Sequence, residues 1–253
     1  MALNSEKKPR VTCITLENPP VNVLGIELLR ALERELSACA DDRTTDVVVL
    51  RGGGTRAFSA GMDIRDHTRE KVPEMLEIVH GVIRKLLTMP QVTIAAVRGV
   101  CFGGGCELAS SCDFILASEN SSFATPEIQV GCYPPVALAR FSTLIGYHRA
   151  AEMILTGRHY NAREALDLGL INRIFPEEQF ENGLTSLLEQ LLSKSGAVMR
   201  IALKGLRELS LRDFPSALSR SEEIYCRELL DTEDVDEGVR AFLEKRKPNW
   251  QHR

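Results

Sequence analysis

Val47–Leu50 is a run of four aliphatic residues, VVVL, with no polar position left to face water. A strand of that composition is buried on both faces, as in a parallel sheet packed between helices. Gly52-Gly53-Gly54 ends it. Upstream, Val11–Leu16 reads as a short strand broken by Asn18-Pro19-Pro20, because proline removes a backbone donor and restricts its predecessor. Between the two, Ile26–Cys39 carries Leu28, Leu29, Leu32 and Leu36 at helical spacing. Strand, helix, strand is the rhythm of an α/β fold. The rhythm recurs as a helix over Val72–Thr88 stopped at Pro90, a strand over Val92–Val97, the glycines Gly103-Gly104-Gly105, a helix, and a strand over Phe114–Ala117.

From about Leu184 the pattern is helical only. Met199, Ala202, Leu203 and Leu206 form one apolar stripe, and Leu218, Ile224, Tyr225 and Leu229 another. A last helix is expected to be capped at Thr232, with Glu233, Asp234, Asp236 and Glu237 at its start and Lys245, Arg246 and Lys247 at its end, suiting the helix dipole. A small helical tail of this kind packs against a neighbouring copy in many proteins, so an oligomer is expected.

With 253 residues, 44% of them hydrophobic, the chain can bury a large core. No apolar run approaches the ~20 residues of a membrane span, and Met1–Arg10 has no signal-like apolar stretch, so a cytoplasmic protein without membrane contact is expected. A net charge of -4 argues against nucleic acid as a partner, since phosphate binding relies on clustered Lys and Arg. The cysteines, Cys13, Cys39, Cys101, Cys106, Cys112, Cys132 and Cys226, form no Cys-x-x-Cys pair, which favours reduced thiols over a zinc site. Asp63 and His67 are four apart, but two residues make no metal site; surface placement is expected for both.

Three stretches carry the chemistry. In Gly99–Asp113 (GVCFGGGCELASSCD) a strand runs into three glycines and then a helix, whose first N–H groups lack internal partners and can bind negative charge. Glu107 falls in the first turn of that helix, either as a water-facing helix-start acid or as an acid beside an anion site. In Phe123–Gly131 (FATPEIQVG), Glu127 follows Pro126 amid apolar neighbours; partial desolvation would raise its pKa toward the range useful for proton transfer. In Arg56–Asp66 (RAFSAGMDIRD) a small-residue turn is either a plain connection or a second N–H donor, and two donors aimed at one oxygen make an oxyanion hole.

Taken in order, Ala57–Ile64 (AFSAGMDI), Phe102–Ala109 (FGGGCELA) and Phe123–Glu127 (FATPE) resemble the enoyl-CoA hydratase/isomerase (crotonase) family. The likeness continues through Leu155-Thr156-Gly157, Ala162–Ala165, Gly169-Leu170-Ile171 and Ala241–Arg246 (AFLEKR), so it covers nearly the whole chain. It implies a spiral of ββα units, expected here over residues 1–190, followed by a helical trimerisation region over 191–253, and assembly as a homotrimer or a dimer of trimers. By position, the backbone N–H groups of Met62 and Gly104 would grip a thioester oxygen, and Glu107 and Glu127 match the two acids of the hydratases. These acids would hold a water between them, one taking its proton and Glu127 delivering a proton to carbon, while the gripped carbonyl gains enolate character.

The same resemblance implies substrate contacts at Ala60, Met62, Asp63, Ile64, Gly103, Gly104, Tyr133 and Pro134. It sets Arg56, Arg65 and Lys245 near the CoA phosphates, with solvated surface charges as the alternative. Phe242 would touch the adenine of a neighbouring subunit or else be an ordinary core aromatic. No cofactor is expected beyond the CoA of an acyl-CoA thioester substrate. Where many short-chain hydratases have a glycine-rich run after the second acid, this chain has Gly131–Ala137 (GCYPPVA), a stiffer and bulkier wall in which Tyr133 serves either as a surface or as a hydrogen-bond donor. Paired with Met62–His67 (MDIRDH), this wall is similar to that of the cyclohexa-1,5-dienecarbonyl-CoA hydratases of anaerobic aromatic degradation. Isomerase, thioester hydrolase and decarboxylase activities reuse the same enolate-stabilising site, and non-catalytic CoA-binding or RNA-binding relatives share the fold. Retention of both acids favours hydration. Neither glycine run forms Gly-x-Gly-x-x-Gly, and no Gly-x-Ser-x-Gly is present, which sets aside dinucleotide enzymes and serine hydrolases.

Overall fold

The computed structural model describes residues 2–250; Met1, at the head of the stretch inspected for a signal, and the last three residues of the expected helical region lie outside them. The strands are β1 (Ala2–Lys8), β2 (Val11–Glu17), β3 (Val47–Gly52), β4 (Ala57–Ser59), β5 (Val92–Val97), β6 (Val100–Phe102), β7 (Phe114–Ser118), β8 (Ser122–Ala124), β9 (Tyr160–Asn161) and β10 (Arg173–Phe175). The helices are α1 (Ile26–Asp41), α2 (Val72–Thr88), α3 (Gly104–Ser110), α4 (Pro135–Ile145), α5 (Tyr147–Thr156), α6 (Ala162–Leu168), α7 (Phe180–Leu192), α8 (Gly196–Ser210), α9 (Phe214–Arg227) and α10 (Glu233–Leu243).

Two sheets result, one of six strands in the order β1-β2-β3-β5-β7-β10 and one of four in the order β4-β6-β8-β9. From β2 to β10 the larger sheet is parallel, and so is β4-β6-β8 in the smaller one. Each turn of the chain gives one strand to each sheet before a helix: β3, β4 and α2, then β5, β6 and α3, then β7, β8 and α4. This is the spiral of ββα units that the sequence resemblance implied.

The all-aliphatic β3 has the double cover its composition demands. Val48 and Leu50 pack with leucines of α1 and with Val82, Ile83 and Leu86 of α2, while Val47 and Val49 face Phe180, Leu184 and Leu187 of α7 and Leu203 of α8. Burial of each such side chain contributes roughly 1.5–3 kcal/mol. Because α7 belongs to this core, the boundary expected between residues 190 and 191 falls inside a helix that covers the sheet.

Further departures from expectation have local causes. Along α8 only Leu203 is buried; Leu206 of the expected apolar stripe is 62% exposed, beside Val198, Ile201 and Leu209. Thr232 precedes α10 but makes no capping bond, because its hydroxyl donates to the Leu229 carbonyl at 2.8 Å. Glu237 is 5% exposed and accepts from Arg240, Arg246 and the Asn249 amide, tying the segment after α10 back onto the helix. Lys245, Arg246 and Lys247 lie beyond the end of α10 rather than in its last turn. No helix among the described residues is long and apolar enough to cross a membrane. All seven cysteines are free thiols, with Cys226 exposed and Cys13 partly so.

Candidate active site

The smaller sheet brings the three chemistry-bearing stretches to one edge. In its parallel ladder Ser59 pairs with Cys101, and Phe102 with Ala124, so the chain leaves β4, β6 and β8 side by side. Met62 follows β4, Gly103 to Glu107 follow β6, and Glu127 follows β8. The carboxyl ends of parallel strands are where α/β folds place ligands, because the backbone groups freed there point outward together.

Gly104 opens α3, so its N–H has no partner inside the helix. Met62 forms a parallel bridge with Leu24 in which Leu24 N–H donates to the Gly61 carbonyl and Asp63 N–H to the Leu24 carbonyl, both at the Leu24 side. The N–H of Met62 itself is therefore turned away from that bridge. The two segments are in contact: a Cβ on Gly61 would lie 3.5 Å from Gly104 N, and one on Gly104 would lie 2.8 Å from Met62 Cγ and 3.6 Å from Met62 N.

Glu107 is 4% exposed, and its Oε1 accepts from the Ala137 amide at 2.9 Å. The local sequence explains this contact. Pro134 and Pro135 have no N–H, so the first donors at the start of α4 are Val136 and Ala137, and the buried carboxylate occupies that helix start. Burial pushes the Glu107 carboxyl up, and the Ala137 amide, the neighbouring His80 and the Val136 amide offset part of the rise.

Glu127 opens the short helical turn Pro126–Val130, with the Cys132 amide donating to its backbone carbonyl at 3.0 Å. Its Oε2 is buried without a hydrogen-bond partner. Burial, then the charge of Glu107, push this carboxyl up to about 8. Two acids in one site, one held by backbone amides and the other with an oxygen left unpartnered, suit separate base and acid tasks.

Both glutamates line one small pocket with Met62, His67, Met75, Leu76, Val79, His80, Tyr133, Pro134, Pro135 and Tyr225. Its free space of about 20 Å³ is room for roughly one water. That space is smaller than an acyl group.

Other expected positions fall outside this lining. Ala60 donates its amide to the Val21 carbonyl, Asp63 caps the turn Ile64–Asp66 and pairs with Arg65 at 2.5 Å, and Arg56 is exposed. Phe242 is 55% exposed, which removes the core-aromatic alternative, and Lys245 is also on the surface. His67, expected on the surface, is buried instead with Nδ1 donating to the Asp63 carbonyl at 3.1 Å, and burial pushes its pKa down. Tyr133 serves in both of its expected capacities, lining the cavity and donating to the Ser221 carbonyl at 2.7 Å. No group of three or more His, Cys, Asp or Glu arranged to hold a metal occurs among the described residues.

Besides His67 and the apolar Met75, Leu76 and Val79, the lining holds two polar residues not foreseen there, His80 of α2 and Tyr225 of α9. His80 had a signal: it sits on the stripe of Val72, Met75, Leu76, Val79 and Ile83, the one polar residue on an otherwise apolar helix face. Tyr225 had none, because an aromatic on an apolar stripe reads as core.

Residues 6–253 match the model of a family described as enoyl-CoA hydratase/isomerase. The chain is 34% identical to a probable enoyl-CoA hydratase of Rhizobium meliloti, over 98% of this chain and 97% of that protein. It is 29% identical to the cyclohexa-1,5-dienecarbonyl-CoA hydratase of Thauera aromatica, over 95% and 92%. Among solved structures, an enoyl-CoA hydratase from Mycobacterium avium subsp. paratuberculosis superposes with a TM-score of 0.89 at 27% identity, covering 98% of both chains.

Proposed function

The chain belongs to the enoyl-CoA hydratase/isomerase family, and from that premise we propose that it is a hydro-lyase that adds water across the conjugated double bond of an acyl-CoA thioester. The observation that carries this reading is the pair of buried carboxyls, Glu107 held by the α4 amides and Glu127 raised to about 8 with one oxygen unpartnered, in a cavity of one-water size.

The thioester oxygen sits between the amides of Met62 and Gly104. As water attacks the conjugated carbon, charge moves onto that oxygen, and donors already in place stabilise it without reorganising; each is worth about 3 kcal/mol of barrier. Glu107, whose charge the Ala137 and Val136 amides favour, takes the proton of the water. Glu127 carries its proton at neutral pH and delivers it to the α-carbon. No group beyond the substrate's CoA enters this scheme. Arg56, Arg65 and Lys245 are the cations proposed for the CoA phosphates, with Phe242 against the adenine across a subunit boundary.

For the acyl group we propose a cyclic dienoyl such as cyclohexa-1,5-diene-1-carbonyl. The Pro134-Pro135 wall with Tyr133 replaces a flexible glycine-rich edge by a rigid one, and a relative at 29% identity bears that activity in its name. Turnover on crotonyl-CoA and on cyclohexa-1,5-dienecarbonyl-CoA, followed by mass spectrometry, tests both levels. Gain of one water with preference for the cyclic compound is expected. Preference for the linear one removes the cyclic assignment, and products of unchanged mass on every substrate would point to isomerisation instead.

The assembly is proposed to be a homotrimer or a dimer of trimers. Val198, Ile201, Leu206 and Leu209 leave an apolar face of α8 exposed on the single chain, 62–84% by residue, and such faces are associated with subunit contacts. Light scattering after size exclusion should give three or six times the chain mass; a monomer at micromolar concentration would exclude it.

A further inference from the structure

His80 is fully buried on α2. Its Nδ1 lies 2.5 Å from Glu222 Oε1 of α9, and Arg84, one turn along α2, holds the same oxygen at 3.0 Å. A carboxylate only accepts, so Nδ1 is the donor, and in the neutral ring the other nitrogen, Nε2, is an acceptor. That Nε2 is buried without a hydrogen-bond partner, and His80 lines the same pocket as Glu107 and Glu127. An orphaned acceptor in a dry interior is costly enough that buried polar groups nearly always have a partner, protein or water. Here the protein supplies none to Nε2, while the cavity has room for one water.

We propose that His80 is a third catalytic residue, its Nε2 accepting a hydrogen bond from the water that adds to the substrate. This rests on the hydratase reading above. A water has two hydrogens: one points to Glu107, the other to His80, and an oxygen lone pair is left to face the conjugated carbon. As the carbon–oxygen bond forms, the π electrons move into the thioester to give the enolate, and Glu107 takes the first hydrogen as a proton. Glu127 then gives its proton to the α-carbon. The second hydrogen remains on oxygen as the product hydroxyl, still bound to His80. A proton returned from Glu107 to Glu127 resets the pair, so one water is added and nothing else consumed. Glu222, through Nδ1, is the positioning residue that fixes the ring's tautomer. The other orphaned oxygens of the lining, Glu127 Oε2 and the Tyr225 hydroxyl, lie on the opposite task, the former as the proton donor and the latter beside Cys132.

The test compares wild type with His80→Leu and His80→Gln on whichever enoyl-CoA the wild type hydrates fastest. His80→Leu should lower kcat about tenfold or more with KM changed less than about twofold, the loss of one hydrogen bond to the reacting water. His80→Gln, whose amide oxygen restores an acceptor, should recover most of that kcat. Wild-type kcat in His80→Leu overturns the proposal and leaves the hydratase reading standing, as does an equal loss in both variants, which would mark a packing role. If the wild type hydrates no enoyl-CoA, both fall together. Should His80→Leu not fold, Glu222→Leu, which removes the acceptor of Nδ1–H, decides: a severalfold lower kcat at unchanged KM supports the assignment, and an unchanged kcat overturns it.

Discussion

Glu107→Gln and Glu127→Gln are each expected to lower kcat for hydration about 10²- to 10⁴-fold, the range attributable to one positioned acid or base, while the protein stays folded. Gln keeps the size of Glu in both cases. At position 107 the amide oxygen can still accept from Ala137 N–H, so the start of α4 is held and only the base is lost. At 127 the Gln amide fills the place of the carboxyl whose Oε2 has no partner, and only the transferable proton is lost. The wild-type kcat should fall as pH rises through about 8, where Glu127 loses its proton, and Glu127→Gln should lack that alkaline limb.

Stability carries the same signature with a definite sign. Glu127 has its carboxyl raised from 4.5 in the free side chain to about 8 in the fold, so the folded state retains a proton that the unfolded chain releases. Its contribution is fully present below about 4.5 and is lost as pH rises through about 8. Urea denaturation across that window should show a decline in wild type that is reduced in Glu127→Gln. Turnover within tenfold of wild type in both Gln variants would sink the two-acid mechanism.

How much of this was legible in the sequence follows from element length and from what each residue packs against. Val72–Thr88 and Val92–Val97 were readable to the residue, because seventeen and six positions respectively repeat one pattern and a proline marks the gap between them. β1 was not, since ALNSEKK is mostly exposed and has no hydrophobic alternation; it exists because β2 offers an edge to pair with. β9 and β10, two and three residues long, are below the length at which any period shows. For the candidate site, the motifs named Glu107 and Glu127, yet only the Phe102–Ala124 register explains why acids twenty residues apart meet. His67 and His80 eluded the sequence reading for a shared reason. The polar partners of each, Glu222 for His80 and the Asp63 carbonyl for His67, are not encoded by any periodicity, although the helical stripe of α2 does place His80 on its apolar face. The exposed apolar residues of α8 invert the usual inference, since their stripe pattern is that of a core helix while the single chain gives it nothing to cover.

Gly103→Ala should combine a loss of stability of about 1–3 kcal/mol with a loss of turnover approaching that of Glu127→Gln. Position 103 has φ 52° and ψ -128°, a backbone conformation that a Cβ strongly disfavours. It cannot relax cheaply, because Gly103 N–H donates to the Ala124 carbonyl at 2.9 Å and Gly103 O accepts from Glu107 N at 3.0 Å, which locks the turn between β6 and α3. The added methyl would lie 2.6 Å from Glu127 Oε1 and 3.3 Å from its Cδ, so the carboxyl of the proposed acid must move away. Gly105→Ala is the informative contrast: its Cβ would meet first the Ser59 carbonyl at 2.7 Å and the Ser59 side chain at 2.8 Å, rather than the Glu127 carboxyl. It should therefore destabilise the fold without moving the acid, and kcat per folded molecule should stay nearer to wild type. Thermal melts paired with kcat on the same samples separate the two effects. If Gly103→Ala melts early but turns over normally, the Glu127 carboxyl is not the group whose position limits the reaction.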